Sequence, residues 1–157
     1  MKRGEPMKKG IWKLLFWLYL LFLFWVVILK FTGSIPALLE RMKAEPYGMT
    51  YNLQPFATIH IQMRHLSEGW ARFNLIGNTV PFIPFGFLLP LSCSRKCSLW
   101  KVLFLGFLFV LFAEAVQFYT NLGTFDVDDI ILNMAAIFVG YLPVGIWGIF
   151  RKPKKKK

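Results

Sequence analysis

The stretch Leu99-Trp-Lys-Val-Leu-Phe-Leu-Gly-Phe-Leu-Phe-Val-Leu-Phe-Ala-Glu-Ala-Val-Gln-Phe-Tyr119 decides the fold class of this chain. It is long and apolar enough to cross a membrane, yet it carries Glu114 and Gln117 one turn apart near its end. At about 1.5 Å rise per residue, a helix of roughly 20 residues matches a hydrocarbon core of about 30 Å. An ionisable side chain inside such a helix costs roughly 2.5–3.5 kcal/mol on insertion scales, so it persists where it has a partner or a task. Similar apolar blocks occupy Ile11–Phe31, Phe73–Ser92 and Ile130–Phe150. With 56% hydrophobic and 18% aromatic residues in 157, the chain has too little polar surface to cover a water-soluble core. The reading is all-α: an integral membrane protein of four transmembrane helices, a single membrane domain over residues 1–157, with no internal repeat.

The net charge of +11 raises the question of nucleic acid, and its distribution answers it. Lys2, Arg3, Lys8, Lys9 and Lys13 flank the first block. Arg95, Lys96 and Lys101 lie around the second turn, and Arg151, Lys152 and Lys154 to Lys157 follow the fourth block. Cations beside spans stay in the cytoplasm. Both termini are therefore expected inside, and the loop Phe125-Asp-Val-Asp-Asp129 outside. A lysine tail in that position sets topology and touches anionic lipid; no nucleic-acid partner is expected. The first block begins like a secretory signal, but its apolar run is long and Thr32-Gly-Ser-Ile-Pro-Ala37 lacks a small-x-small site, which favours an uncleaved anchor. Cys93 and Cys97 fall in a cytoplasmic turn, a reducing compartment where a structural disulfide is not expected.

Between the first two blocks runs a segment of about 40 residues, Thr32 to Arg72, expected to lie along the outer membrane surface with Tyr51 and Trp70 near headgroup level. Ser34 followed by Pro36 is a helix-start signature, with Pro46 and Gly48 as its stop. In the second block Pro81 and Pro84 each remove a backbone donor; each should kink the helix and free carbonyls for other helices to satisfy.

Depth singles out a candidate site. Asn74 and Asn78 lie in the outer third of span two, and Glu114 and Gln117 in the last turns of span three. That puts the latter pair about 3–8 Å below the outer interface at 1.5 Å per residue. Asn133 is one turn into span four, on the face shared by Asp126 and Asp129. Polar residues used only as interhelical glue, each contributing about 0.6 kcal/mol, would not need to agree in height across three spans. One of Asp126 or Asp128 is expected to cap the fourth helix. The remaining acids would repel one another unless a cation intervenes. Arg72 at the mouth of span two is the first candidate and Arg64 the second. The expected site is thus an outward-facing pocket of Asn74, Asn78, Glu114, Gln117, Asp126, Asp128, Asp129, Asn133 and Arg72. No cofactor and no metal are expected: His60 and His65 belong to no triad or metalloprotease signature.

Four segments together resemble the VanZ-like family: Asn52-Leu-Gln-Pro-Phe56, Asn74-Leu-Ile-Gly-Asn-Thr-Val-Pro-Phe-Ile-Pro-Phe-Gly-Phe-Leu-Leu-Pro90, Glu114-Ala-Val-Gln117 and Phe125-Asp-Val-Asp-Asp-Ile-Ile-Leu-Asn-Met-Ala-Ala-Ile-Phe-Val-Gly-Tyr141. The resemblance spans roughly residues 50–145, and its pattern carries over to Asn78, Pro84, Gly86, Glu114, Gln117, Asp128, Asp129 and Asn133. The chain departs from it at Met134-Ala-Ala136, where a small residue and glycine are common, and in having Thr-Phe-Asp where Arg-x-x-Asp is frequent. The resemblance implies a small multispan protein of the bacterial plasma membrane, associated with low-level teicoplanin resistance at the cell envelope. The expected partners are membrane lipids and an amphiphilic glycopeptide or lipid-linked envelope precursor. The expected role is modulation of envelope access by lipoglycopeptides, more binding than catalysis. The alternative is a membrane enzyme acting on a lipid-linked cell-wall headgroup, its paired carboxylates acting as general base or holding a divalent metal. A transporter ranks last, since it would want polar residues at mid-bilayer and an internal repeat.

Overall fold

The computed structural model describes residues 5–29, 34–43, 51–93 and 97–150, and the chain is mostly helical. Helix α1 spans Glu5–Leu29, and α2 spans Ile35–Lys43. A short α3, Ala57–Arg64, precedes α4, Gly69–Thr79, which continues through a 3-10 turn at Val80–Phe82 into α5, Ile83–Ser92. Helices α6, Leu99–Tyr119, and α7, Val127–Phe150, complete the chain. Four stretches are long and apolar enough to cross a membrane: Lys9–Val27, Gly69–Ser92, Leu99–Tyr119 and Val127–Trp147. At most a third of each is buried, the figures being 6%, 33%, 22% and 22%. The large apolar side chains Trp17, Leu21, Phe22, Trp25, Phe104 and Phe112 instead face outward. A water-soluble domain does not expose such a continuous greasy surface, so lipid is the solvent here.

The third span has the bounds the sequence predicts. The second starts four residues earlier than expected and the fourth three; at the start of the fourth, the Asp128 carboxylate is held by the Phe56 and Ile59 amides. The basic residues Lys2, Arg3, Lys30, Arg95, Lys96, Arg151, Lys152 and Lys154 to Lys157 lie outside the described residues, as do Pro46 and Gly48. At the start of α2 the Ala37 amide donates to Ser34 Oγ at 3.4 Å, the capping that the sequence predicts.

The prolines of span two are accommodated by changing helix type. Pro84 would have bonded Val80 O from its missing N–H; Ile83 N–H donates to that carbonyl instead, tightening the chain to a 3-10 turn. Pro81 O accepts from Tyr19 Oη on α1 at 2.7 Å, so a neighbouring helix does satisfy a carbonyl of the broken stretch.

The core gathers where α5 and α7 cross. A Cβ on Gly86 would run into the Ile137 carbonyl, and one on Gly140 would run into the Ile83 carbonyl. The two backbones touch there with no side chain between them, the close approach that glycine permits in membranes. Ile137, fully buried, extends its side chain to Gly106 of α6. Phe85 packs between Phe16 of α1 and Phe109 of α6, with ring centroids 5.6 and 5.4 Å away. One face of α1 therefore joins the bundle through Phe16 and Leu23, while Trp17 and Trp25 face lipid.

Among the described residues one short strand pair accompanies the helices. Tyr51–Asn52 forms a two-residue strand β1 that pairs in parallel with β2, Phe125–Asp126, in the register Tyr51 to Phe125 and Asn52 to Asp126. Two residues carry no period-2 hydrophobic signal, so pattern reading cannot find them. The pair fastens the segment before α3 to the acidic loop before α7. That loop leaves α6 through a Schellman turn: Asn121 is left-handed at φ 57°, and Leu122 N–H donates back to Gln117 O at 2.8 Å.

Candidate functional site

Of the three clustered aspartates, two are engaged in holding the chain together. Asp126 is the residue just before α7, and its Oδ1 accepts from the Asp128 amide at 2.9 Å. It is therefore the N-cap of the fourth span. Its other contacts reach across the strand pair: Oδ2 accepts from Thr58 Oγ1 at 2.6 Å and Oδ1 from Asn52 Nδ2 at 3.3 Å. Asp128 does something that local sequence does not announce. Helix α3 has no capping side chain of its own, and Phe56 before it is left-handed at φ 65°. The Asp128 carboxylate supplies the cap, accepting from Phe56 N–H at 2.5 Å and Ile59 N–H at 3.0 Å. Asp128 is fully buried, so the orphan amides of α3 and a buried charge satisfy one another.

The remaining acids lie deeper. Asn78 of α4 donates through Nδ2 to Asp129 Oδ1 of α7, joining the second and fourth spans. Asn133 sits one turn below Asp129 on the same face and is 4% exposed, and no donor meets its Oδ1. It is also one turn above Ile137, whose side chain meets Gly106. From that contact Glu114 is eight residues up α6 and Asp129 eight residues back up α7, so both rise by about 12 Å to a common level. Glu114 is buried at 4% exposure. Asn78, Glu114, Asp129 and Asn133 thus form a polar layer contributed by three spans.

Other residues of the expected pocket have their own surroundings. Gln117 turns toward α1, donating from Nε2 to Val27 O at 3.2 Å. Asn74 is half-buried on α4, and Arg72 is exposed on the first turn of that helix. His65 donates from Nδ1 to Ile61 O at 2.8 Å and lies 5.7 Å from the Trp70 ring, a local arrangement. Sequence reasoning missed Asn52, Thr58 and Gln62 as site residues. Gln62 is 3% exposed under α3, and no donor meets its Oε1. Asn52 was visible in the Asn52–Phe56 motif, whereas Thr58 and Gln62 carry no local signal. Among the described residues no group of three or more His, Cys, Asp or Glu could hold a metal ion.

At the opposite end of the bundle Cys93 and Cys97 are free thiols packed against the core. Burial pushes the Cys97 thiol up to about 11; the neighbouring Cys93 adds to the rise and Lys101 opposes it. Because the thiolate is the nucleophile, Cys97 should alkylate slowly at pH 8 and about tenfold faster per pH unit until about pH 11. A rate measured with iodoacetamide that levels off near pH 8.5 would contradict this.

Comparison with known proteins shows the family. The family model described as VanZ/LLP1 matches residues 16–150. Protein VanZ of Enterococcus faecium is 29% identical over 154 residues, covering 98% of this chain and 81% of that relative. No solved structure matches. With a family model that takes in most of the first span, the other three and the acidic loop between the last two, this multi-pass membrane chain belongs to the VanZ/LLP1 family.

Proposed function

We propose that this protein presents its polar layer toward the outer face of the bacterial plasma membrane and there modulates how a lipoglycopeptide of the teicoplanin type, or another envelope amphiphile, reaches its target. The orientation rests on the basic residues beside the first and last spans and in the turn between the second and third, which favour the cytoplasm. The observation that carries the reading is the Asn78–Asp129 hydrogen bond, buried between two spans at the level of Glu114. Such a group, just below headgroup depth, suits a molecule with an acyl tail in the bilayer and a basic polar body at its surface. VanZ/LLP1 membership supports the same general kind of function.

The competing enzymatic reading needs a pair of unengaged carboxylates. Asp126 and Asp128 each already accept two or more hydrogen bonds from backbone or side chains, which leaves them poorly placed as bases.

The test is Glu114→Gln, which keeps shape and removes charge. Cells carrying it should show the teicoplanin sensitivity of cells without the protein, at unchanged membrane levels of the chain. Undiminished protection by a well-expressed variant would overturn the assignment.

A further inference from the structure

Two buried amide oxygens at the acidic end have no donor: Gln62 Oε1 and Asn133 Oδ1. A buried carbonyl left without a donor costs about 1–3 kcal/mol, so two in one small protein call for an explanation. Their places in the fold are related. Gln62 follows Ile59 by three residues, on the α3 face whose Ile59 amide bonds Asp128, and α3 packs on α4 and α7. Asn133 lies on the α7 face that also carries Asp129 and Ile137. Asn78 bonds Asp129 one turn from Asn133, Glu114 is buried on α6, and Gln62 is buried on the helix that packs on α4 and α7.

We propose that Gln62, Asn78, Glu114, Asp129 and Asn133 bind the ammonium group of a primary amine carried by an amphiphile. This deepens the reading above and rests on it. The acceptors are two carboxylates and two amide oxygens, and the complement is a compact cation with several N–H donors. A primary ammonium has three such donors and one positive charge; a quaternary ammonium has the charge alone. Beside the site, α4 and the 3-10 turn after it show Phe73, Ile76 and Val80 outward, a surface for the amphiphile's chain. Metal chemistry is a poorer match, since no described group of three His, Cys, Asp or Glu converges there.

The experiment uses the full chain in a neutral maltoside detergent, with dodecylammonium and dodecyltrimethylammonium as probes and calorimetry as readout. The primary amine should bind at least about tenfold more tightly, the effect of a hydrogen bond to a charged group. Asn133→Leu and Gln62→Leu should each remove most of that preference while leaving the quaternary probe unchanged. If Asn133→Leu does not fold, Gln62→Leu decides. Equal affinities for the two probes, or folded variants that keep the preference, overturn the proposal even where Glu114→Gln abolishes protection. A clear preference upholds it even where teicoplanin sensitivity never changes. Two sources share this chemistry, and competition separates them. Displacement of dodecylammonium by phosphatidylethanolamine but not phosphatidylcholine identifies a membrane headgroup. Preference for the amine without displacement identifies a free amphiphile.

Discussion

Gly86→Ala separates the two helices that form the core and lowers stability by about 1–3 kcal/mol, the range for overpacking a tight interior. The added methyl meets the Ile137 carbonyl, with the Tyr141 amide 2.8 Å away, and both are helix backbone. A side chain could rotate aside; a helix must translate as a whole. Gly140→Ala meets the Ile83 carbonyl and is expected to cost a similar amount. Because either substitution opens the same crossing, the double variant should cost less than the sum of the two. Gly69→Ala is the control, since nothing lies within 4 Å of its added methyl. Thermal unfolding in detergent, followed by gel filtration, measures all four. A Gly86→Ala protein as stable as Gly69→Ala would remove the backbone crossing from this account.

The second large effect is at Asp128. Asp128→Ala takes the acceptor from Phe56 N–H and Ile59 N–H at once. Hydrogen bonds to a charged group contribute about 1.5–3 kcal/mol each, and the abandoned amides add their own desolvation cost where they stay buried. The loss is borne locally, because β1 and α3 are tied to the bundle chiefly through Asp126, Asp128 and the strand pair. Segment 51–66 should detach while the four spans persist. Trypsin should then cut after Arg64, an exposed residue, at least about tenfold faster than in the unmodified protein, in line with a local opening made easier by more than 1.4 kcal/mol. Asp128→Asn should do nearly the same, since an amide offers one acceptor where two are used. Unchanged proteolysis in Asp128→Ala would show that the cap contributes little.

Much of this architecture could be read from the sequence because lipid imposes a length rule. Apolar blocks of about 20 residues must span, and Leu99–Tyr119 does so with the bounds read from its residues alone. The heights of Asn78, Glu114, Asp129 and Asn133 follow from the same rule, since position along a span is depth. That Asp126 or Asp128 caps the fourth helix follows from their place before an apolar run, and the structure selects Asp126.

What the sequence could not decide was partnership across long separations. Asp128 looks like one more acid at the start of its own helix, yet its carboxylate caps α3, 72 residues back from it to Phe56. Thr58 and Gln62 have no local pattern that separates them from any polar residue of a surface helix. Gly86 and Gly140 are ordinary in composition and become indispensable only where two backbones touch. Hydrophobic periodicity and span length are properties of neighbours in the chain, so the residues alone determined them. Which donor meets which acceptor depends on how the loops and helices dock, and only the tertiary structure sets that.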